Sequence, residues 1–139
     1  MSEESTSPDL IELGREAFEA LNRGDLDAVM NLYAPDAVWV ATALGENFEG
    51  VAAIRGLYEE FTKAVDDYAL EIDEMLDLGN GVGFAVVCHQ GHPVGGTGYV
   101  HQREAIVTLW VDGLLAWGAG HLDIDEGRAA AERLAQERG

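Results

Sequence analysis

His89, His101 and Arg103 are the residues of this chain whose types and spacing suggest chemistry. An imidazole exchanges protons near neutral pH, and a guanidinium can hold an oxyanion or a substrate carboxylate. His101 and Arg103 share one face of a strand, because side chains two apart point the same way. His89 lies on the preceding strand, across a glycine-rich stretch from Gly91 to Gly98. A hairpin centred near Gly95 sets His89 opposite His101 and Val87 opposite Arg103, with partner Cβ atoms about 4.5–5.5 Å apart. One histidine could then take a proton while Arg103 steadies the charge that forms. The other reading leaves both histidines as structural or rim residues at the loop end of the hairpin, and a slip of one residue turns them outward.

Other chemistry finds less support. Two histidines fall short of the three or four ligands of a metal site, and Glu104 is expected on the opposite face, so no metal is expected. His92 falls in the loop, and His121 falls on a face expected to pack or to meet a second subunit. Cys88 is alone, which leaves neither an internal disulfide nor a cysteine-based zinc motif. The glycines of 91–98 lack the strand-to-helix setting of a phosphate loop. No cofactor is expected.

These side chains must be positioned by elements that the periodicity predicts. Ser7 and Pro8 read as the start of a helix with Leu10, Ile11, Gly14, Phe18 and Leu21 on one face. Gly24 stops it, and Asp25 caps a short helix with Leu26, Val29, Met30 and Tyr33 on its face. Ala37–Ala41 reads as a strand, 45–50 as a loop or short extended piece, and Val51–Val65 as a helix. Tyr68, Leu70 and Ile72 alternate with Ala69, Glu71 and Asp73, so the period changes to two. Gly79-Asn80-Gly81 and Asp112-Gly113 read as turns between strands 82–90, 99–111 and 114–122. Asp125 caps a final alanine-rich helix. The expectation is one α+β domain over 9–137, an antiparallel sheet with helices on one face, preceded by a flexible acidic tail, 1–8.

Several short stretches carry a resemblance. They are Asn22-Arg23-Gly24-Asp25-Leu26-Asp27-Ala28, Leu32-Tyr33-Ala34-Pro35-Asp36-Ala37, Phe48-Glu49-Gly50, Ile54, Val111-Asp112-Gly113-Leu114-Leu115 and His121-Leu122-Asp123. In these and in element order, residues 9–135 resemble the SnoaL-like and ketosteroid-isomerase-like branch of the nuclear transport factor 2-like superfamily. The resemblance implies a curved sheet wrapped in a cone around three helices, with a short C-terminal helix and a deep apolar cavity. It implies that Phe18, Tyr33, Trp39, Ala41, Leu57, Tyr58, Phe61, Val87, Val107, Gly118 and Gly120 line that cavity.

The same resemblance shows what is missing. Ala41 stands where ketosteroid isomerases carry their general-base Asp, Ala17 where they carry an oxyanion-hole Tyr, and Val107 where they carry a protonated Asp. The carboxylate of limonene-epoxide hydrolases falls at Gly120. Two functions from different classes follow. One is an isomerase, cyclase or hydrolase acting on a hydrophobic carbonyl or ring compound through His89, His101 and Arg103. The other is a noncatalytic ligand-binding or dimerising module. A homodimer through the outer sheet face, with Trp110 and Trp117 on it, is the expected assembly.

Composition bounds the partners. The 26 acidic residues outweigh 8 basic ones, so no basic stripe exists to neutralise nucleic acid or an anionic membrane. No apolar run reaches the ~20 residues of a membrane span, and the N-terminal stretch does not read as a signal peptide, so a cytoplasmic location is expected. Acids placed on helix exteriors and turns, such as Glu12, Glu16, Glu59, Asp66 and Glu132, point to a solvated, salt-adapted surface. At a net charge of −18, salt should stabilise the fold by screening self-repulsion. The melting temperature is expected to rise between about 0.1 and 1 M salt. A melting temperature indifferent to salt refutes this.

Overall fold

The computed structural model describes residues 9–42 and 44–139. The expected tail, with Ser7 and Pro8, lies outside the described residues. The elements are α1 (Leu10–Asn22), α2 (Leu26–Met30), β1 (Tyr33–Ala41), β2 (Glu46–Glu49), α3 (Val51–Ala64) and β3 (Val65–Gly79), followed by β4 (Val82–Pro93), β5 (Val100–Val111), β6 (Leu114–His121) and α4 (Ile124–Arg138).

Carboxylates start three of the helices by accepting from backbone N–H groups that the first turn leaves unpaired. Asp9 accepts from Ile11 and Asp25 from Ala28. Asp123, not Asp125, caps α4 by accepting from Glu126. The short α2 ends at Met30, so Tyr33 opens β1 and is not on the helix face expected for it. Asn22, at the end of α1, accepts from the Leu70 N–H at 2.6 Å and donates to the Leu70 carbonyl at 2.9 Å. That pair ties α1 to the edge strand β3.

The architecture is α+β, with six strands in the order β2-β1-β6-β5-β4-β3. Four of the pairings are antiparallel as expected, but β1 and β6 run parallel. The cause is topological: α3 carries the chain to the far edge, and the meander β3 to β6 returns with its last strand beside β1. The sheet does not close, since β2 and β3 are both edges. Register shifts at Asp66/Ala69, Ile72/Glu74 and Asp77/Gly79 in β3 mark bulges, which bend a sheet and raise its twist.

Helices cover both faces, not one. On the inner face α1, α2 and α3 bury Ala20, Leu21, Val29, Met30 and Ile54 against Trp39, Ala85, Val87, Ile106, Trp110 and Leu115. On the outer face Ala131, Ala135 and Leu134 of α4 pack on Phe84, Val86, Ala105 and Val107. Val107 is therefore on the outer side, against α4, and Trp110 is on the inner side; both reverse the expectation. Trp117 is on the outer face as expected, packed against the α4 cluster.

A single bulge explains both reversals. The two-residue turn at Asp112-Gly113 pairs Val111 with Leu114 and Trp110 with Leu115, but the next pair is Leu109 with Trp117. Ala116 is the extra residue. Without it Val107 would pair with Gly118 and share its inward face; with it Thr108 takes that place and Ile106 pairs with Gly120.

Gly118 and Gly120 then face inward beside β1. A Cβ on Gly118 would run into ring carbons of Trp39, so the indole lies where that side chain would be. Gly118→Ala should push Trp39 off β6 and cost about 1–3 kcal/mol, the range for overpacking a filled site. Urea unfolding followed by tryptophan fluorescence measures this. An unchanged midpoint and an unchanged native spectrum would contradict the packing.

Candidate functional site

The inner face of β4 carries Ala85, Val87 and His89, and that of β5 carries Glu104, Ile106 and Thr108. Glu104 is directly opposite Val87, while His89 is opposite Gln102. His89 and Glu104 are thus diagonal neighbours on one face, within reach of long side chains. Nε2 of His89 meets Oε1 of Glu104 at 2.6 Å. On the other side of the ring, Nδ1 meets the Tyr68 hydroxyl at 2.8 Å. Phe61 of α3 holds the pair from above, edge-on to Tyr68 at 5.1 Å and tilted to His89 at 5.2 Å between ring centroids. The side chains of His89 and Glu104 keep 15% and 22% of their exposure. They are sheltered but open to the cavity.

Burial raises the Tyr68 phenol far above its ordinary value, and the charges of Tyr58 and Glu104 add to the rise. Tyr68 therefore keeps its proton. An ionised Glu104 carboxylate only accepts, which puts the ring hydrogen of a neutral His89 on Nε2 and leaves Nδ1 to accept from the Tyr68 hydroxyl. Glu104 Oε1 is committed to His89, and Oε2 has no hydrogen bond among the described residues. A Cβ on Gly120 would collide with Oε2. The carboxylate fits because position 120 has no side chain.

A second polar pair lies deeper. The hydroxyls of Tyr33 and Tyr58 are 2.8 Å apart. Tyr33 is buried in the core, while Tyr58 lines the cavity. Burial raises Tyr33 well above its ordinary value, helped by the charge of Tyr58 and by their hydrogen bond. Burial also pushes Tyr58 up to about 12; the bond from Tyr33 opposes this, and the charge of Glu104 adds to it. Either hydroxyl can donate in this pair; with Tyr33 as the donor, the Tyr58 hydrogen is left for a ligand.

These groups surround a cavity of about 310 Å³, within the usual size for small-molecule sites. Of the residues expected on its wall, Phe18, Trp39, Ala41, Leu57, Tyr58, Phe61, His89 and Gly120 are there. The exposed Leu44 and Phe61 mark its mouth. Tyr33 stands behind Tyr58, and Gly118 lies beneath Trp39. Val87 is fully buried in the core of the inner face, off the cavity wall. Val107 is on the opposite side of the sheet.

The expected cluster of His89, His101 and Arg103 does not form. His101 pairs with Gln90 across the strands, and it is exposed near Tyr99 with ring centroids 6.4 Å apart. Arg103 pairs with Cys88 and reaches Asp73 at 3.4 Å on the outer side. Both turn outward because the register of β4 and β5 differs by one residue from a hairpin centred on Gly95. His121 is also on the outer side, with its Cβ 3.3 Å from where a Gly127 side chain would begin and its Nδ1 3.4 Å from Glu126. His92 is exposed and bonded to the Gly98 carbonyl.

Sequence reasoning missed Tyr68, Glu104, Thr42, Thr62 and Ile106. One cue for β5 was present: Ala105 and Val107 are small, which suits the close approach of an alanine-rich helix, and this assigns the odd residues to α4. Glu104 and His89 make two potential metal ligands in contact, and among the described residues no group of three exists.

Residues 15–132 match the model of the SnoaL-like domain family. No curated protein sequence matches. Several solved structures share the fold. One is an NTF2-like protein of unknown function from Burkholderia pseudomallei, 20% identical, covering 87% of this chain and 95% of that one with a TM-score of 0.72. Another is a hypothetical protein with a ketosteroid isomerase-like fold from Catenulispora acidiphila, in complex with trimethylamine. It is 16% identical and covers 91% and 94%, with a TM-score of 0.74. A proposed polyketide cyclase from Sinorhizobium meliloti is 24% identical and covers 79% and 94%, with a TM-score of 0.67.

The buried phenols set a pH dependence. Folding raises their affinity for protons above the ordinary value near 10, so the native state gains full stability below about pH 10. That stability is lost as pH rises through about 12, where Tyr58 ionises. The guanidinium midpoint should fall from pH 10 to 12, and Tyr68→Phe should flatten the fall. A midpoint constant over that window would refute the burial argument.

Proposed function

This chain belongs to the SnoaL-like domain family, and from that premise we propose that it binds a hydrophobic carbonyl compound and moves a proton on it, with Glu104 as base. The reading rests on one arrangement: a carboxylate with one oxygen held by His89 and the other left without a partner at the wall of an apolar cavity. No lysine or arginine lines that cavity among the described residues. Its polar groups are Glu104, His89 and a few hydroxyls, which suits a neutral ligand.

The chemistry follows from the partners of each group. Oε2 of Glu104 takes a proton from the carbon next to the ligand carbonyl, and the C–H electrons move into an enolate. The Tyr58 O–H donates to the enolate oxygen, and a buried donor aimed at developing charge stabilises it strongly. The donation from Tyr33 makes Tyr58 a better donor. His89 is a positioning residue: its Nε2–H steadies the carboxylate, and Tyr68 fixes the ring. Where the ligand carries a carbon–carbon double bond in conjugation with the enolate, return of the proton from Glu104 to the far carbon of that dienolate completes an isomerisation. Attack of the enolate carbon on a second carbonyl of the same molecule closes a ring instead, and the alkoxide formed there takes back the proton held by Glu104. The fold neighbour described as a proposed polyketide cyclase is in keeping with such chemistry.

His101 and Arg103, on the far side of the sheet, have no part in this reading. A homodimer using the outer face beyond α4 remains part of the proposal.

Deuterium uptake from D₂O into fused-ring aryl ketones, read by mass spectrometry, tests the reaction. The protein should exceed the buffer rate, and Glu104→Gln should lose about 10²–10⁴-fold, the range for a general base. His89→Gln should lower the rate and alter its pH profile. Ketones bound by the protein and recovered without exchange would overturn the catalytic reading in favour of a noncatalytic binding module.

A further inference from the structure

Behind Trp39 lies a second, smaller cavity of about 50 Å³. Phe18, Leu21, Trp39, Tyr58 and Ile106 line both cavities, so one layer of side chains divides them. We infer that the smaller cavity is an inner compartment of the ligand site and takes an apolar tail, a straight alkyl chain, from the ligand whose carbonyl lies at Glu104. This rests on the cavity reading proposed above and adds the shape of the ligand.

Three observations support the assignment. First, the inner compartment offers a ligand almost nothing polar. Its hydroxyls are those of Tyr33, Tyr58 and Thr108. The two phenols pair with each other, and Thr108 accepts from the Trp110 Nε1–H at 3.0 Å. An apolar space with so few partners does not hold water well and suits hydrocarbon.

Second, its walls include the small residues Gly14, Ala17, Gly83 and Ala85. A Cβ on Gly14 would come within 2.6 Å of the Met75 terminal methyl, and one on Gly83 within 2.7 Å of the Thr108 hydroxyl. Side chains at these positions would therefore close the space. Met75 is unbranched and can yield to an entering chain.

Third, the divider is the indole of Trp39, which rests on Gly118 and reaches toward Gly120. Its support on β6 is backbone alone at these two positions. Ligand length is thus read past Trp39, and the ligand carbonyl is placed at Glu104.

Titration calorimetry with phenyl ketones of increasing n-alkyl length tests the inference. Affinity should rise about three- to fourfold for each methylene that enters the compartment, then level off. Ala17→Leu, a substitution by a good helix former on α1, should make the rise stop at shorter chains. Xenon under pressure gives an independent reading: a xenon site beside Ala17 and Ala85 in the wild type, lost in Ala17→Leu. Binding of short ketones with a flat length series, or a series unaffected by Ala17→Leu, overturns the inner compartment and leaves the proposed function standing. Absence of the xenon site also overturns it. Failure of every ketone to bind overturns both readings.

Discussion

Ala116 has no partner on β5, and this unpaired residue decides which side chains reach the cavity. Past the bulge, Glu104, Ile106 and Thr108 turn inward and Ala105 and Val107 turn toward α4. The inward residues meet Gly118 and Gly120, which face the helices on β6. The missing side chains of these glycines leave room for the Trp39 indole and the Glu104 carboxylate. The room for the acid of the cavity comes from the glycines beside it, and the acid itself follows from the change of parity on β5. The outer face depends on it too, because α4 can approach closely only where β5 presents small residues.

Placing polar groups in an apolar cavity costs free energy unless each finds a partner. The site meets this condition with two short chains, Tyr68–His89–Glu104 and Tyr33–Tyr58, except at Glu104 Oε2, which faces the cavity. No buried side-chain nitrogen or oxygen among the described residues is left unpaired. The basic residues act elsewhere. Arg103 meets Asp73, and Arg128 meets Glu74 at 2.8 Å and covers Phe84. These pairs are half-exposed, where ion pairs contribute little to stability. The large negative charge is carried mainly by the surface, while the cavity wall holds one carboxylate in contact with a histidine.

The elements were legible in the sequence because each rests on a local signal. Asp25 before an apolar run, the Asn80-Gly81 and Asp112-Gly113 turns, and the switch from period 3.6 to 2 near Tyr68 all act within a few residues. Phe18, Leu57, Tyr58 and Phe61 could be assigned to the wall because helical spacing and the resemblance agreed. The face of β5 had only one cue, the small residues Ala105 and Val107, and the hairpin and the resemblance both pointed the other way. The eight residues from Gly91 to Gly98 do not set a register, and a bulge at Ala116 has no mark in residue type, since Ala is neither Gly nor Pro. An error of one residue sends His101 and Arg103 inward and Glu104 outward, although every strand is correctly located. The parallel pairing of β1 with β6 was hidden for another reason: it joins strands separated by most of the chain.

The absent catalysts and the acid found in the cavity are connected. A carboxylate at 120, where epoxide hydrolases of this fold carry one, would occupy the volume that Glu104 Oε2 fills. Two carboxylates in contact cannot both stay ionised at little cost. Glycine at 120 and glutamate at 104 therefore form one arrangement and not two independent choices. Ala41 fits the same logic, because it keeps a second acid off the wall that Glu104 shares. Ala17, on the wall of the inner compartment, leaves space where a tyrosine would supply a donor. Tyr58, already held by Tyr33, is then the phenol of this pair left to face the ligand. The polar groups are displaced around the cavity, and their physical constraints remain: one acid with a partner, a phenol held by a second phenol, and apolar walls around both.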